Sequence, residues 1–215
     1  MVLNKLQEKY DAMPKFVIQQ TKKFNIPIWT YDLQSYVDND AIADYIVSQK
    51  HTLNYNTAWK DAGDILHNWH TNLIDRNDNT NPDLEKLFKI ATQKVSKIWG
   101  YTDNYETMYS FLLEHYLLSI YNQNDYIDWH DHGISAYSAS YYARVPANSS
   151  NIIFENEKQE LEVEVKSGML VLFPGNARHR TYPSQHQGDR IVVTMNFFKD
   201  RLINKIKKEI MDENR

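Results

Sequence analysis

The sequence predicts a mainly β fold with flanking helices, and three observations carry that prediction. From about Met108 the apolar pattern changes from a helical period to a strand period. β-rich segments then follow at 109–121, 126–131, 136–145, 151–155, 161–166, 169–173 and 190–198, separated by turns rich in Asn, Asp, Ser or Gly. Many short strands at that spacing build a sandwich, a jelly roll or a barrel. The helical stripes lie outside this block, before residue 108 and after residue 200.

Taken in order, Val2 to Tyr10 has the makings of a short helix, and Phe16-Val17-Ile18 fits either state. Pro27-Ile28-Trp29-Thr30-Tyr31 is aromatic and β-branched, so it reads as a strand. Asp40 is the expected cap of a helix whose stripe is Ala41, Ile42, Tyr45 and Ile46. Gln49 to Asn79 is polar with scattered aromatics and reads as a long loop. Asn81-Pro82-Asp83 opens a second helix with a cap, a first-turn proline and an acid at the positive end of the dipole. Its stripe is Leu84, Leu87, Phe88, Ala91, Val95 and Ile98, and Gly100 is its expected stop. After the strands, Leu202, Ile203, Ile206 and Ile210 share one face of a C-terminal helix expected to dock on the body. The organisation is therefore one globular domain. Residues 1–107 form a helical and mixed region packed on the core, 108–200 the strand-rich core, and 201–215 the closing helix.

A chain of 215 residues can bury a sizeable core. With 42% hydrophobic and 24% charged residues, it has the composition of a soluble domain. No run approaches the roughly 20 apolar residues that span a bilayer, so no membrane association is expected. The N-terminus lacks the apolar centre of a secretory signal. Zero cysteines remove disulfides, thiolate metal sites and cysteine nucleophiles, which points to a cytoplasmic protein. A net charge of -4 argues against a long nucleic acid as partner.

The chemistry-bearing residues gather between Tyr121 and Phe198. His130 and His132 flank Asp131, and in an extended segment alternation would turn both imidazoles to one face. Asp128 would share that face one step away. A pair at this spacing arises readily by chance on a surface. His179, however, follows a strand and a Pro-Gly turn, from which it can return to the same mouth. Three convergent imidazoles suit a first-row metal with open positions. Arg190 opens a strand on which Arg190, Val192, Thr194 and Asn196 share a face. Its guanidinium is a natural clamp for a carboxylate, and Thr194 can add a hydroxyl.

This combination resembles the iron(II)- and 2-oxoglutarate-dependent oxygenases, whose pattern is His-x-Asp/Glu, a distal His, and an Arg about ten residues later. His130-x-His132, His179 and Arg190 match it. Thr194 matches a hydroxyl position of the prolyl-hydroxylase-like branch. Tyr121 and Tyr142 fall where members direct tyrosines at 2-oxoglutarate, and Ser167-Gly168 through Pro174-Gly175 resembles the strand and turn before the distal His. A looser likeness, through Ile26-Pro27-Ile28-Trp29 and Asn68-Trp69-His70-Thr71-Asn72, is to a group of such oxygenases from bacteria and marine phages.

The resemblance implies a double-stranded β-helix core (a cupin-like jelly roll) and an oxidative enzyme, in the host cytoplasm if phage-encoded. His130, His132 and His179 would hold iron(II), while Arg190 and Thr194 would take the distal carboxylate of 2-oxoglutarate. Tyr121 and Tyr142 would orient it. With O2, the reaction would release succinate and carbon dioxide and hydroxylate a C–H bond of a prolyl-like, peptidyl or small-molecule substrate. A monomer or homodimer is expected.

His132 departs from the pattern, because the family carries Asp or Glu there. Direct ligation by His132 is the expectation that alternation supports. The competing arrangements are a carboxylate from Asp131 or Asp128 through a bulge, or a site that binds metal without ordinary turnover. Two other functions stay open: a three-histidine cupin-type dioxygenase without 2-oxoglutarate, and a non-catalytic jelly-roll binding module. Among the other candidates, His67 and His70 are expected to pack a loop, His115 to sit in the sheet, and His186 to lie in a turn without a role. Tyr126 and Trp129 are expected to wall the site.

Overall fold

The computed structural model describes residues 16–17, 26–55, 66–98, 111–157 and 159–199. The helix stripes at both ends (Val2 to Tyr10 and Leu202 to Ile210) and the stop at Gly100 lie outside these residues.

Helix α1 spans Asn39–Ser48 and buries Ile42, Ala43 and Ile46. Its cap is Asp38, two residues earlier than expected, and the Asp38 carboxylate accepts from the Ala41 N–H at 3.0 Å. Asp40 falls in the first turn, where its charge favours the positive end of the dipole. Helix α2 spans Pro82–Ile98, and the Asn81 side-chain oxygen accepts from the N–H groups of Asp83 and Leu84.

The strands in chain order are β1 (Phe16–Val17), β2 (Trp29–Asp32), β3 (Asn54–Tyr55), β4 (Leu66–His67), β5 (Trp69–His70), β6 (Ile74–Asp75) and β7 (Phe111–Tyr121). They continue as β8 (Tyr126–His130), β9 (Tyr137–Arg144), β10 (Ile152–Asn156), β11 (Gln159–Val163), β12 (Met169–Pro174), β13 (His179–Thr181) and β14 (Arg190–Lys199). A large antiparallel sheet runs β1-β2-β12-β9-β14-β7-β5-β3, with β6 also on β7. A smaller sheet runs β11-β10-β13-β8-β4. The fold is a jelly roll, mainly β, with the helices packed outside.

Alternation on the central strands explains the layering. Val193 and Met195 of β14 and Tyr141 of β9 join Ile42, Ile46, Leu84, Leu87 and Phe88 in one apolar cluster, so the helices cover the outer face of the large sheet. Val192, Tyr142, Val171 and Phe173 point the other way and meet Ile152 and Phe154 of the small sheet. Both faces of β9 are therefore covered, and Ser138 to Ala143 are all buried. Each fully buried Leu, Ile or Phe contributes roughly 1.5–3 kcal/mol, so this two-sided burial is what holds the central strands in place.

Two further expectations are corrected. The polar stretch 49–79, read as a loop, contains β3 to β6 and two short helical turns among its described residues. Pieces of two residues carry no measurable period, which is why the pattern concealed them. Within it, Leu66 pairs with Ile127 of the small sheet and Trp69 with Ile120 of the large one, so this segment ties the two sheets together. The second correction is β13, three residues long and absent from the sequence reading. No helix among the described residues is long and apolar enough to cross a membrane.

Candidate active site

Strands β8 and β13 are paired with His130 directly opposite His179, which sets the two imidazoles side by side with ring centres 4.2 Å apart. His132 lies two residues beyond the end of β8. Its position comes from the backbone: its N–H donates to the Gly175 carbonyl at 2.8 Å, and the Gly175 N–H donates to Ala136. A Cβ on Gly175 would lie 1.9 Å from the Ser135 carbonyl oxygen, so only glycine permits this approach. The His132 ring is nearly parallel to that of His179, at 5.2 Å. The ring nitrogens of His130, His132 and His179 come within 4.8 Å of one another.

The three rings are oriented like metal ligands. Nδ1 of His130 lies 2.8 Å from the Asp128 carbonyl, and Nδ1 of His179 lies 2.8 Å from the Ala177 carbonyl. Those bonds fix the Nδ1–H tautomers and leave Nε2 as the free lone pair. Nε2 of His132 is buried with no hydrogen-bond partner among the described residues. Burial lowers the pKa of all three, and the neighbouring imidazoles push His132 and His179 further down, His132 to about 3. Three neutral nitrogen donors converge, and that set fits a divalent first-row ion.

Neither aspartate joins the cluster. Asp131 is exposed and its carboxylate accepts from the Gly133 N–H at 2.8 Å, while Asp128 is exposed and accepts from the Trp129 N–H at 2.7 Å. The reason is a bulge. His130 pairs with His179 but Ile127 pairs with Thr181, so β8 carries one residue more than β13 across that interval. Ile127 and His130 consequently both line the pocket, and Asp128 is turned outward. Trp129 is also turned away, contrary to its expected role as a wall. It stacks instead against the guanidinium groups of Arg178 and Arg180, at 5.5 and 4.5 Å. Tyr126 stacks on His67 with ring centres 4.2 Å apart, and neither lines the pocket.

Facing the imidazoles is the inner face of the large sheet. Arg190 of β14 pairs with Tyr121 of β7, and Val192 pairs with Tyr142 of β9. The Arg190 guanidinium lies 5.1 Å from the Tyr121 ring and 5.2 Å from the Tyr142 ring. It is 2% exposed, its Nε has no hydrogen-bond partner, and no carboxylate among the described residues forms an ion pair with it. Burial raises the pKa of both tyrosines, opposed by the Arg190 charge, so each remains a neutral phenol able to donate. Thr194, Tyr121, Tyr142, Arg190 and the three histidines all line one pocket between the sheets.

Ser119, Ser140 and Leu73 line the same pocket and were not singled out from the sequence. The two serines carried a signal, since each lies two residues before a site tyrosine on the same strand. Leu73 carried none. His115 sits in β7 with Phe198 edge-on at 6.1 Å. His186 is buried rather than idle: its Nδ1 meets the Ser184 hydroxyl at 2.7 Å and its Nε2 meets the Tyr121 carbonyl at 3.1 Å, which anchors the end of β7. His70 is fully buried in β5, with Nδ1 3.1 Å from the Asn68 carbonyl.

No protein-family model matches the chain, and no curated protein matches it. Solved structures do. A prolyl-4-hydroxylase of Pseudomonas putida superposes with a TM-score of 0.59 at 14% identity, covering 92% of this chain and 99% of that one. A prolyl hydroxylase of Trichoplax adhaerens, solved with a peptide fragment of hypoxia inducible factor, gives 0.65 at 13% identity over 92% of each chain. A viral collagen prolyl hydroxylase from Paramecium Bursaria Chlorella virus-1, solved with 2-oxoglutarate, gives 0.52 at 11%, covering 79% of this chain and 94% of that one. At these identities the likeness is one of fold, a jelly-roll core shared with 2-oxoglutarate- and iron(II)-dependent oxygenases.

Proposed function

We propose that the chain is an iron(II)- and 2-oxoglutarate-dependent oxygenase that hydroxylates a C–H bond of an amino-acid or peptidyl (prolyl-like) substrate or of a small molecule. The observation that carries the proposal is Arg190: a buried guanidinium with no anionic partner among the described residues, across one pocket from three convergent imidazoles. Burying a charge without a partner costs several kcal/mol, so such an arrangement points to a ligand that supplies the missing anion. A dicarboxylate with a 2-oxo group would suit both ends in chemistry, offering oxygen donors to an ion held by the imidazoles and a carboxylate for a bidentate pair with the arginine.

His130, His132 and His179 would hold the ion through nitrogen. When bound, iron(II) and the oxo acid supply O2 activation and the oxidising power for hydroxylation, with succinate and carbon dioxide released. The protein's own part is binding and exclusion. Arg190 takes the distal carboxylate, Thr194 adds a hydroxyl donor, and the neutral phenols of Tyr121 and Tyr142 brace the guanidinium from two sides. Ser119 and Ser140 offer hydroxyls along the same wall. Ile127, Ile152, Leu117 and Val192 keep the chamber apolar, which strengthens each polar contact inside it. The peptide seen with the Trichoplax enzyme supports a peptidyl substrate here.

The test is anaerobic addition of iron(II) and then 2-oxoglutarate to the apo-protein. A weak visible charge-transfer band that forms with both and is lost in Arg190→Ala is the expected result. A second reading, a three-histidine dioxygenase without 2-oxoglutarate, is favoured by the all-imidazole cluster. It predicts iron binding with no such band, and oxidation that proceeds without the oxo acid.

A further inference from the structure

The pocket offers an incoming cation little compensating charge. His132 stands where the resembled pattern has a carboxylate, and an imidazole brings no negative charge to the cluster. Asp131 lines the pocket but is exposed and engaged by the Gly133 N–H, so solvent screens its charge, and Asp128 points outward. Asp125, the buried acid nearest to Tyr121 in sequence, is occupied by the Tyr55 hydroxyl and the Asn122 N–H. Arg190, meanwhile, already holds one uncompensated positive charge on the opposite wall.

We infer that His132 makes metal capture conditional on the dicarboxylate: the cation binds weakly alone and tightly only together with the anion. This inference rests on the oxygenase reading above and adds to it a regulation of the same site. A divalent ion alone would place three positive charges in a chamber with apolar walls, where repulsion is screened far less than in water. A doubly charged acid removes most of that excess, and a carboxylate at position 132 would remove part of it beforehand. The coupling is therefore larger with histidine than with aspartate at 132. By linkage it is reciprocal, so the acid also binds weakly until the cation is present. The site then answers to the presence of both ligands rather than to either.

The experiment titrates the full-length protein with manganese(II) calorimetrically under three conditions: alone, with saturating 2-oxoglutarate, and with saturating glutarate. Glutarate has the same charge but cannot chelate through an oxo group. One neighbouring unit charge shifts an ionic equilibrium by roughly 10- to 1000-fold, so His132→Asp is expected to tighten manganese alone by at least about tenfold. The same substitution is expected to shrink the gain from 2-oxoglutarate by a similar factor. Glutarate is expected to tighten manganese binding to the wild type by several-fold. A variant that binds manganese no better than the wild type, or shows an equal gain from the acid, overturns the inference. Should His132→Asp fail to fold by circular dichroism, the wild-type glutarate titration decides alone, and no change there overturns it. Failure of the oxygenase reading looks different: manganese binds, but 2-oxoglutarate gives no heat with the loaded protein, and the inference falls with that reading.

Discussion

A guanidinium held almost out of solvent between two phenol rings has few reasons to be there without an anion. At Arg190 the expected consequence is graded. Arg190→Lys keeps the charge but loses the planar fork, and with it one charged hydrogen bond of about 1.5–3 kcal/mol, or roughly 10- to 150-fold in 2-oxoglutarate affinity. Arg190→Met removes the charge and abolishes the thermal stabilisation that 2-oxoglutarate adds to that of the metal. The same variant relieves an unpaired buried charge, so its ligand-free melting temperature is expected to hold or rise despite the lost ring contacts. Differential scanning fluorimetry with and without ligands reads both effects. A variant that keeps the full 2-oxoglutarate shift would remove Arg190 from the ligand site.

At the scale of elements, the turn from β12 to β13 holds the site together. Gly175 lies against the Ser135 backbone and accepts the His132 N–H, so Gly175→Ala must push the segment carrying His132 away. Overpacking of this kind costs about 1–3 kcal/mol, and here it is expected to weaken metal binding as well. Gly133→Ala is the control: its Cβ would meet nothing within 4 Å, and only its positive φ of 57° penalises it, by roughly 1–2 kcal/mol. Equal metal affinities in the two variants would mean that the Gly175 contact does not position His132. The same elements indicate how far the sequence was readable. The long strands β7, β9, β12 and β14 and both helices announce themselves because their period repeats many times. The β8 bulge does not, since one inserted residue leaves no trace in composition, yet it turned Asp128 outward against strict alternation. His132 lies beside the other two imidazoles through a backbone contact with a glycine 43 positions away, which no local pattern encodes.

For the whole molecule, folding the apo-protein means burying imidazoles in their uncharged form. His70, His130, His132 and His179 all have pKa values lowered mainly by burial, His132 to about 3. In the unfolded chain each would titrate near the ordinary value of about 6.5. Below that pH the unfolded chain therefore binds more protons than the folded one. Stability from these groups is fully present above about pH 6.5 and is lost as the pH falls, at up to about 1.4 kcal/mol per pH unit for each histidine. Asp125 works in the opposite sense, because its pKa is raised, but it is a single group and acts only in the carboxylate range. The ligand-free protein is thus expected to lose melting temperature steeply between pH 7 and pH 5, a window in which surface carboxylates scarcely titrate. A bound divalent ion competes with protons for the three site histidines. Metal loading should therefore raise the melting temperature most near neutrality, and the gain should vanish on acidification as the ion is released. His179→Asn removes one of the lowered groups and should flatten the slope of the apo-protein. A melting temperature unchanged from pH 7.5 to 5 in the apo wild type would mean that these imidazoles are not held uncharged by the fold, and the neutral three-nitrogen donor set would fail with it.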